Sequence, residues 1–277
     1  MNSVCICGTI KNCGKYIKSV FENITQIISL FDHHRIILYY DESDDNTLEL
    51  LNEYGAKFKI ILHYNKKYSS KYRTHRLAHG RNMCLNIINK KFSNFEYFIM
   101  MDFDDVCAEP IKINSLINGL NKKDKWDALS FNKTDYYDIW ALSVKPYIFS
   151  FAHFNNPGDV CGNMKNYIAN ILNNLNQDEL FRCHSAFNGF CIYKTDIFKD
   201  LRYSGKVCLN LIPKKLIEEN KKCNNSDIVF NNSQWVNSNN NMQWLYSKHE
   251  DCEHRSFHMY SILKKNAKIC ISPEILF

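Results

Sequence analysis

Residues 98–106 read FIMMDFDDV: four large apolar residues run straight into Asp102, Asp104 and Asp105. Carboxylates this closely spaced repel one another and desolvate poorly unless a cation neutralises them. Hard divalent cations such as Mn2+ or Mg2+ prefer such oxygen ligands and share them with diphosphate oxygens. An Asp-x-Asp closing an apolar strand therefore reads as a metal–diphosphate site with Asp102 and Asp104 as ligands; a solvated acidic turn is the alternative. Arg73, Arg76 and Arg81 fall in RTHRLAHGRN, and a guanidinium pairs well with phosphate oxygens. Arg76 and Arg81 are the two expected to reach a diphosphate or the carboxylates.

Three further stretches carry polar chemistry. KTDYYDIWAL (133–142) sets Asp135 and Asp138 beside Tyr137 and Trp140, a combination suited to a sugar or acceptor pocket, although Trp140 is equally a core residue. In SAFNGF (185–190), Gly189 permits close backbone approach and Asn188 can bond sugar hydroxyls; a plain turn is the competing reading. HEDCEHRSFH (249–258) packs three His, two Glu and one Asp into ten residues. Nothing elsewhere completes a zinc spacing for it, and a polar surface loop is the other possibility.

These residues need elements to position them. SVCICGTI is a short apolar run, and Ile17, Val20, Phe21, Ile24, Ile27, Ile28 and Phe31 form a helical stripe. RIILYY is a second strand, ending at Asp41. DDNTLELLNEYG predicts a helix capped by Asp44 or Asp45, with Leu48 and Leu51 inward, stopped at Gly55. FKIILHY is a third strand, residues 73–89 a third helix with Leu77, Cys84, Leu85 and Ile88 inward, and EYFIMMDFDD a fourth strand. Alternation of this kind predicts an α/β fold with a mostly parallel sheet flanked by helices. Ligands then lie beyond the carboxyl ends of the strands, which collects residues 8–12, 41–43 and 102–105 on one edge. WDALSF and GFCIYK are expected to add strands, and the Asn-rich residues 219–243 read as a loop or polar insertion. The expectation is one domain over 1–277, with a nucleotide-sugar-binding half at 1–109 and an acceptor-side half at 110–277.

Composition sets bounds. Lys and Arg number 35 against 29 Asp and Glu, and the resulting +6 suits a small anionic ligand at least as well as nucleic acid; with no dense basic tract, nucleic acid is not expected as a partner. No apolar run is long enough for a transmembrane segment, and the first residues lack the pattern of a signal peptide, so a cytoplasmic location is expected. The twelve cysteines are then reduced and structural, and the sequons at Asn23, Asn132, Asn224 and Asn231 unused.

SVCICGTIKN, RIILYYDESDDNTLELL, RTHRLAHGRNMCLN and FIMMDFDDV together resemble a glycosyltransferase of the GT-A (Rossmann-like) fold, close at the N-terminus to family 2 enzymes. YYDIWAL, SAFNGFCIYK and CEHRSFH resemble the fungal capsular α-1,3-mannosyltransferase family. Those relatives are membrane-anchored, whereas no anchor is read here. The resemblance implies that Thr9, Asn12 and Asp41 contact the base and ribose of the donor. It further implies that His258 joins Asp102 and Asp104 on the metal, with His254 as the alternative ligand. One of Glu250, Asp251 and Glu253 would stand near the reacting sugar as the catalytic carboxylate.

The activity so implied is metal-dependent transfer of a sugar from a UDP- or GDP-sugar to a hydroxyl of a glycan or glycoprotein, with Mn2+ or Mg2+ as cofactor. Whether it inverts, with one carboxylate as general base, or retains, without that base and as the fungal resemblance leans, is left open by the sequence, as are the donor base and sugar, the identity of the acceptor and the oligomeric state. Two other classes fit the Asp-x-Asp. A haloacid-dehalogenase-like phosphatase would use Asp102 as nucleophile and Asp104 as acid, and a non-catalytic module would only bind nucleotide sugar.

Overall fold

The computed structural model describes residues 2–224, 233–236, 242–246 and 250–277. Its first half alternates strictly: β1 (Ser3–Ile10), α1 (Gly14–Ile28), β2 (His33–Tyr40), α2 (Thr47–Phe58), β3 (Ile60–Tyr64), α3 (Arg73–Lys91), β4 (Tyr97–Met101). There follow α4 (Ile113–Asn121), β5 (Ala128–Asn132), α5 (Pro157–Asn174), β6 (Phe181–Cys183), β7 (Phe190–Lys194), α6 (Thr195–Phe198) and α7 (Lys214–Asn224). A two-stranded ribbon, β8 (Ser233–Val236) with β9 (Met242–Tyr246), precedes α8 (Glu253–Lys265) and β10 (Ile269–Ile275).

Eight strands form one sheet in the order β3-β2-β1-β4-β7-β5-β10-β6. β7 runs antiparallel between β4 and β5, and β6 antiparallel at the edge beside β10; the remaining neighbours are parallel. The mostly parallel α/β sheet expected from the alternation is thus present. The central strands β1, β4, β5 and β7 are almost wholly buried because both faces are covered. On β1, Val4 and Ile6 point to the side of α1, α2 and α4, while Cys5 and Cys7 point to that of α3, α5 and α8. The predicted stripe of α1 is the buried one, with Ile17, Val20, Ile24 and Ile27 fully enclosed.

The end of α2 departs from expectation. The helix runs through Gly55 and stops at Lys59, which takes the left-handed conformation (φ 53°). One further turn brings Phe58 against Phe21, ring centroids 5.2 Å apart, and that burial outweighs the roughly 1 kcal/mol cost of a helical glycine. Of the Asn-rich stretch 219–243, expected as a loop or polar insertion, residues 219–224 instead close α7 and 233–236 and 242–243 belong to the ribbon; the rest lies outside the described residues. Eleven cysteines are free among the described residues, nine of them buried, as small core hydrophobes. Asn23 is buried: its Nδ2 donates to the carbonyls of Cys107 and Glu109 and its Oδ1 accepts from Ile111 N, tying α1 to the chain that leaves Asp104. No helix among the described residues is long and apolar enough to cross a membrane.

Candidate active site

The parallel strands β1, β2 and β4 all end on one edge, and there the loops enclose a cleft of about 430 Å3. Two of these loops are interlocked. Asn12 sits in the left-handed region (φ 52°) with its N–H on Ser43 Oγ and its Oδ1 accepting from Asp44 N. Cys13 N and Gly14 N donate to Thr47 Oγ1 and Asp45 Oδ2 at 2.8 and 2.9 Å, so Asp45 caps α1 rather than α2 alone. Asp41 faces the cleft beside this lock, with Oδ1 accepting from Asn65 Nδ2 and Glu42 N.

The Asp-x-Asp leaves β4 in the position the sequence suggested. Phe103, between the two carboxylates, turns back onto β1, where a Cβ on Gly8 would come within 2.4 Å of its ring; only glycine leaves that space. Asp102 N donates to the Gly189 carbonyl, and Asp104 Oδ1 accepts from Val106 N. Burial, then the charge of Asp104, pushes the Asp102 carboxyl up to about 8, with Arg81 opposing. Burial also raises Asp104.

Arg81, brought in by α3, is the hub. Its Nη2 lies 3.2 Å from Asp102 Oδ1 and its Nη1 2.6 Å from Glu253 Oε1 at the start of α8. The guanidinium packs over Phe187 at 4.7 Å, and Phe187 in turn stacks on His254 at 3.7 Å. Burial alone would lower the Arg81 pKa, yet Glu253 and Asp102 together hold it above its ordinary value. Arg73 and Arg76 line the same cleft, as do Lys11, Tyr137, Asp138 and Trp140. Burial pushes the Asp138 carboxyl up to about 6, although Ala141 N donates to it.

Of the residues singled out in the sequence, Thr9, Asn12, Asp41, Arg76, Arg81, Asp102, Asp104 and Glu253 line this cleft. Asn188 and Gly189 stand behind its wall. Asn188 (φ 56°) accepts from Tyr137 N and Asp138 N on Oδ1 and donates to the Phe131 carbonyl, so it holds Asp138 in place. Glu250 accepts from Thr74 N and Oγ1 at the start of α3, which commits it to that helix end. Asp251 accepts from Arg255 Nε and Cys252 N; burial opposes its charge, but Arg255 and His153 hold its carboxyl below the usual range. Asp135 is at the surface with Lys165.

His258 is not brought to the Asp-x-Asp: it is fully buried, with Nδ1 on Ser185 Oγ and Nε2 on the Tyr193 hydroxyl, each at 3.0 Å. The helical spacing of 253–258 explains this, since α8 turns Glu253 and His254 to the cleft and His258 one turn deeper into the core. Among the described residues no group of three or more His, Cys, Asp and Glu is placed to hold a metal. Asp102 and Asp104 alone nevertheless suit a hard cation, which is commonly held by one or two carboxylates together with substrate phosphates and water. Phe187 had no signal in the sequence beyond its place before the Asn-Gly turn.

A mostly parallel sheet with an Asp-x-Asp closing its fourth strand and arginines around the adjoining cleft defines a GT-A-type α/β protein. The chain belongs to glycosyl transferase family 2, whose profile matches residues 3–201. No curated protein sequence matches it. Among solved structures it is similar to S. aureus TarS 1-349, at 15% identity over 100% of this chain and 59% of that one, with a TM-score of 0.49. It is also similar to the Pyrobaculum calidifontis mannosyltransferase PcManGT in complex with GDP-Man and Mn2+ (12% identity, 73% and 47% covered, TM-score 0.42). The Mycobacterium tuberculosis glucosyl-3-phosphoglycerate synthase, in complex with Mn2+, UDP-Glc and phosphoglyceric acid, gives 11% identity, 72% and 59% covered, and a TM-score of 0.41.

Proposed function

We propose that the cleft transfers a sugar from a nucleotide-diphosphate sugar to an acceptor hydroxyl in a cation-dependent reaction. The observation that carries this reading is the facing of Asp102, Asp104 and Glu253 by Arg73, Arg76 and Arg81 around one cleft at the strand ends. Thr9 and Asp41, on the interlocked rim, would take the nucleoside, since a carboxylate accepts from a base N–H or a ribose hydroxyl. Arg73 and Arg76 would take the diphosphate. Asp102 and Asp104 would hold Mn2+ or Mg2+, which when bound stabilises charge on the departing diphosphate. Tyr137, Asp138 and Trp140 form the opposite rim, where an aromatic face and a carboxylate suit a sugar ring and its hydroxyls.

Glu253 is the carboxylate we assign as general base. Glu250 and Asp251 have their bonds committed to α3 and Arg255, whereas Glu253 lines the cleft with Oε1 on Arg81 Nη1 and Oε2 unbonded. The likeness of the later motifs to fungal capsular mannosyltransferases makes GDP-mannose the first donor to try, and a glycan or glycoprotein hydroxyl the first acceptor. The test is a thermal-shift screen of GDP-, UDP- and dTDP-sugars with and without Mn2+. A ligand at a hundred times its Kd should add about 2.7 kcal/mol of stability. A chain that no nucleotide sugar stabilises, with or without cation, would refute the reading.

A further inference from the structure

Behind Glu253 lies a buried polar chain that the reaction above does not use. Ser185 Oγ is 3.0 Å from His258 Nδ1, His258 Nε2 is 3.0 Å from the Tyr193 hydroxyl, and that hydroxyl is 3.3 Å from His254 Nδ1. All four residues are at most 1% exposed. Burial first, then neighbouring arginines, keeps both imidazoles neutral.

Neutrality restricts where the protons can be. The Tyr193 hydroxyl has one proton and can donate to only one of its two histidines, so the other must donate to it. In one arrangement Ser185 donates to His258 Nδ1, His258 Nε2–H to Tyr193, and Tyr193 to His254 Nδ1. His254 then carries its own proton on Nε2. In the reverse arrangement every donor changes direction and His254 Nε2 presents a lone pair. Glu253 selects between them, because its Oε1 stands 3.9 Å from His254 Nε2. A lone pair there would face carboxylate charge, whereas an N–H complements it.

Among the described residues, the buried atoms at this wall without a hydrogen-bond partner include His254 Nε2 and Glu253 Oε2, with Arg81 Nε and Nη1 beside them, and all three residues line the cleft. Leaving such atoms unpaired is costly. Glu253 Oε1, the oxygen held by Arg81, stands 3.9 Å from His254 Nε2, and Oε2 is the unbonded one; a hydroxyl that accepts from His254 Nε2–H and donates to Oε2 would satisfy both.

We propose that His254, held as the Nε2–H tautomer by Ser185, His258 and Tyr193, seats the attacking hydroxyl of the acceptor against Glu253. This rests on Glu253 being the base. His254 donates to the hydroxyl oxygen and keeps its proton throughout. The hydroxyl gives its proton to Glu253 while its oxygen forms the bond to the anomeric carbon, and the bond from that carbon to the diphosphate breaks with its electron pair leaving on the diphosphate. The partner is thus an alcohol, and water in the same seat would give hydrolysis.

Two measurements test this. In the full ligand-free chain, 15N spectra of the imidazoles should show His254 protonated on Nε2; finding it on Nδ1, or finding an imidazolium at neutral pH, overturns the tautomer. Hydrolysis of the nucleotide sugar found by thermal shift, with water as acceptor, should fall about tenfold to a hundredfold in His254→Ala, the span of one hydrogen bond to a buried partner. His254→Gln, whose amide can still donate, should recover part of it, and Tyr193→Phe should lie between. Donor Kd should stay within twofold in all three. Unchanged hydrolysis in His254→Ala refutes the seat, and a matching loss of donor affinity shows a packing role instead. Full hydrolysis in Glu253→Gln would remove the base assignment, while the spectra would still judge His254 independently.

Discussion

Arg81→Met is expected to be among the most destabilising single changes available near the cleft. The guanidinium is 3% exposed and serves two carboxylates, Glu253 at 2.6 Å and Asp102 at 3.2 Å. Removing one partner of a buried ion pair costs about 3–5 kcal/mol, because the remaining charge is left uncompensated. The two orphaned carboxylates differ in how they can respond. Asp102 already has its pKa near 8 with Arg81 present, so without Arg81 it is protonated at neutral pH at little extra cost. Glu253 is the group left exposed to the full penalty, and the expected loss is therefore about 3–4 kcal/mol. Urea unfolding of the metal-free protein at neutral pH measures it as a lower midpoint at unchanged slope. In a Glu253→Gln background the same substitution should cost at least about 2 kcal/mol less, since the two sites form one network. An Arg81→Met loss below about 1 kcal/mol, or an equal loss in both backgrounds, would refute the charge argument.

Three further outcomes follow from the geometry. Asp104→Ala should abolish cation-dependent nucleotide-sugar binding in calorimetric titration and leave the fold intact or slightly stabilised, as one of several repelling carboxylates is removed. His258→Gln should leave Mn2+ affinity unchanged, because both ring nitrogens are bonded inside the core. Burial lowers the His258 pKa to about 3, so the unfolded chain binds its proton first. The His258 contribution to stability is therefore lost as pH falls from about 6.5 towards 3, and the variant should flatten that part of the stability–pH curve. Asn188→Ala removes three hydrogen bonds and puts Ala at φ 56°, which should cost about 2–4 kcal/mol in urea unfolding and impair sugar transfer through Asp138; Asn188→Gly should recover only the backbone share.

The N-terminal architecture was legible because β1, β2 and β4 are apolar runs buried where they reach the sheet centre and each helix buries one stripe, so that period and length distinguish them. Strand ends then placed Asp41, Asp102 and Asp104 on one edge without further information. Gly55 misled because a glycine's helix-stopping tendency is weaker than the burial of Phe58 one turn later, and that burial depends on Phe21, far away in sequence. In 249–258 the residue types were informative and their directions were not. Six acidic or imidazole side chains on one short stretch could all have faced the cleft. A helix starting at Glu253 sets Glu253 and His254 at the cleft wall and His258, on the same face as His254, one turn deeper in the core, while Glu250 and Asp251 are drawn off by Thr74 and Arg255. Phe187 and Tyr193 gave no signal, since an aromatic residue in an apolar run looks the same whether it packs or orients a histidine.

The two rims of the cleft are built in different ways. One is an interlock of two loops through backbone amides and short side chains, Asn12, Ser43, Asp44, Asp45 and Thr47, so nearly every position in it is tied to a partner some thirty residues away. The other, residues 137–142, has no strand or helix of its own and is held by Asn188 from one side and by Arg255, through the carbonyls of Trp140 and Leu142, from the other. Those clamps grip the main chain, while Asp138 adds a bond from Ala141 N and Trp140 packs on the core, which leaves half-exposed Tyr137 the least constrained identity on this rim. A library randomised at position 137 should therefore keep folding, whereas the same diversity spread over 12–14 and 43–47 should yield mostly unfolded chains. Sequence drift on this side of the cleft is confined to the few side chains that neither clamp the loop nor pack beneath it.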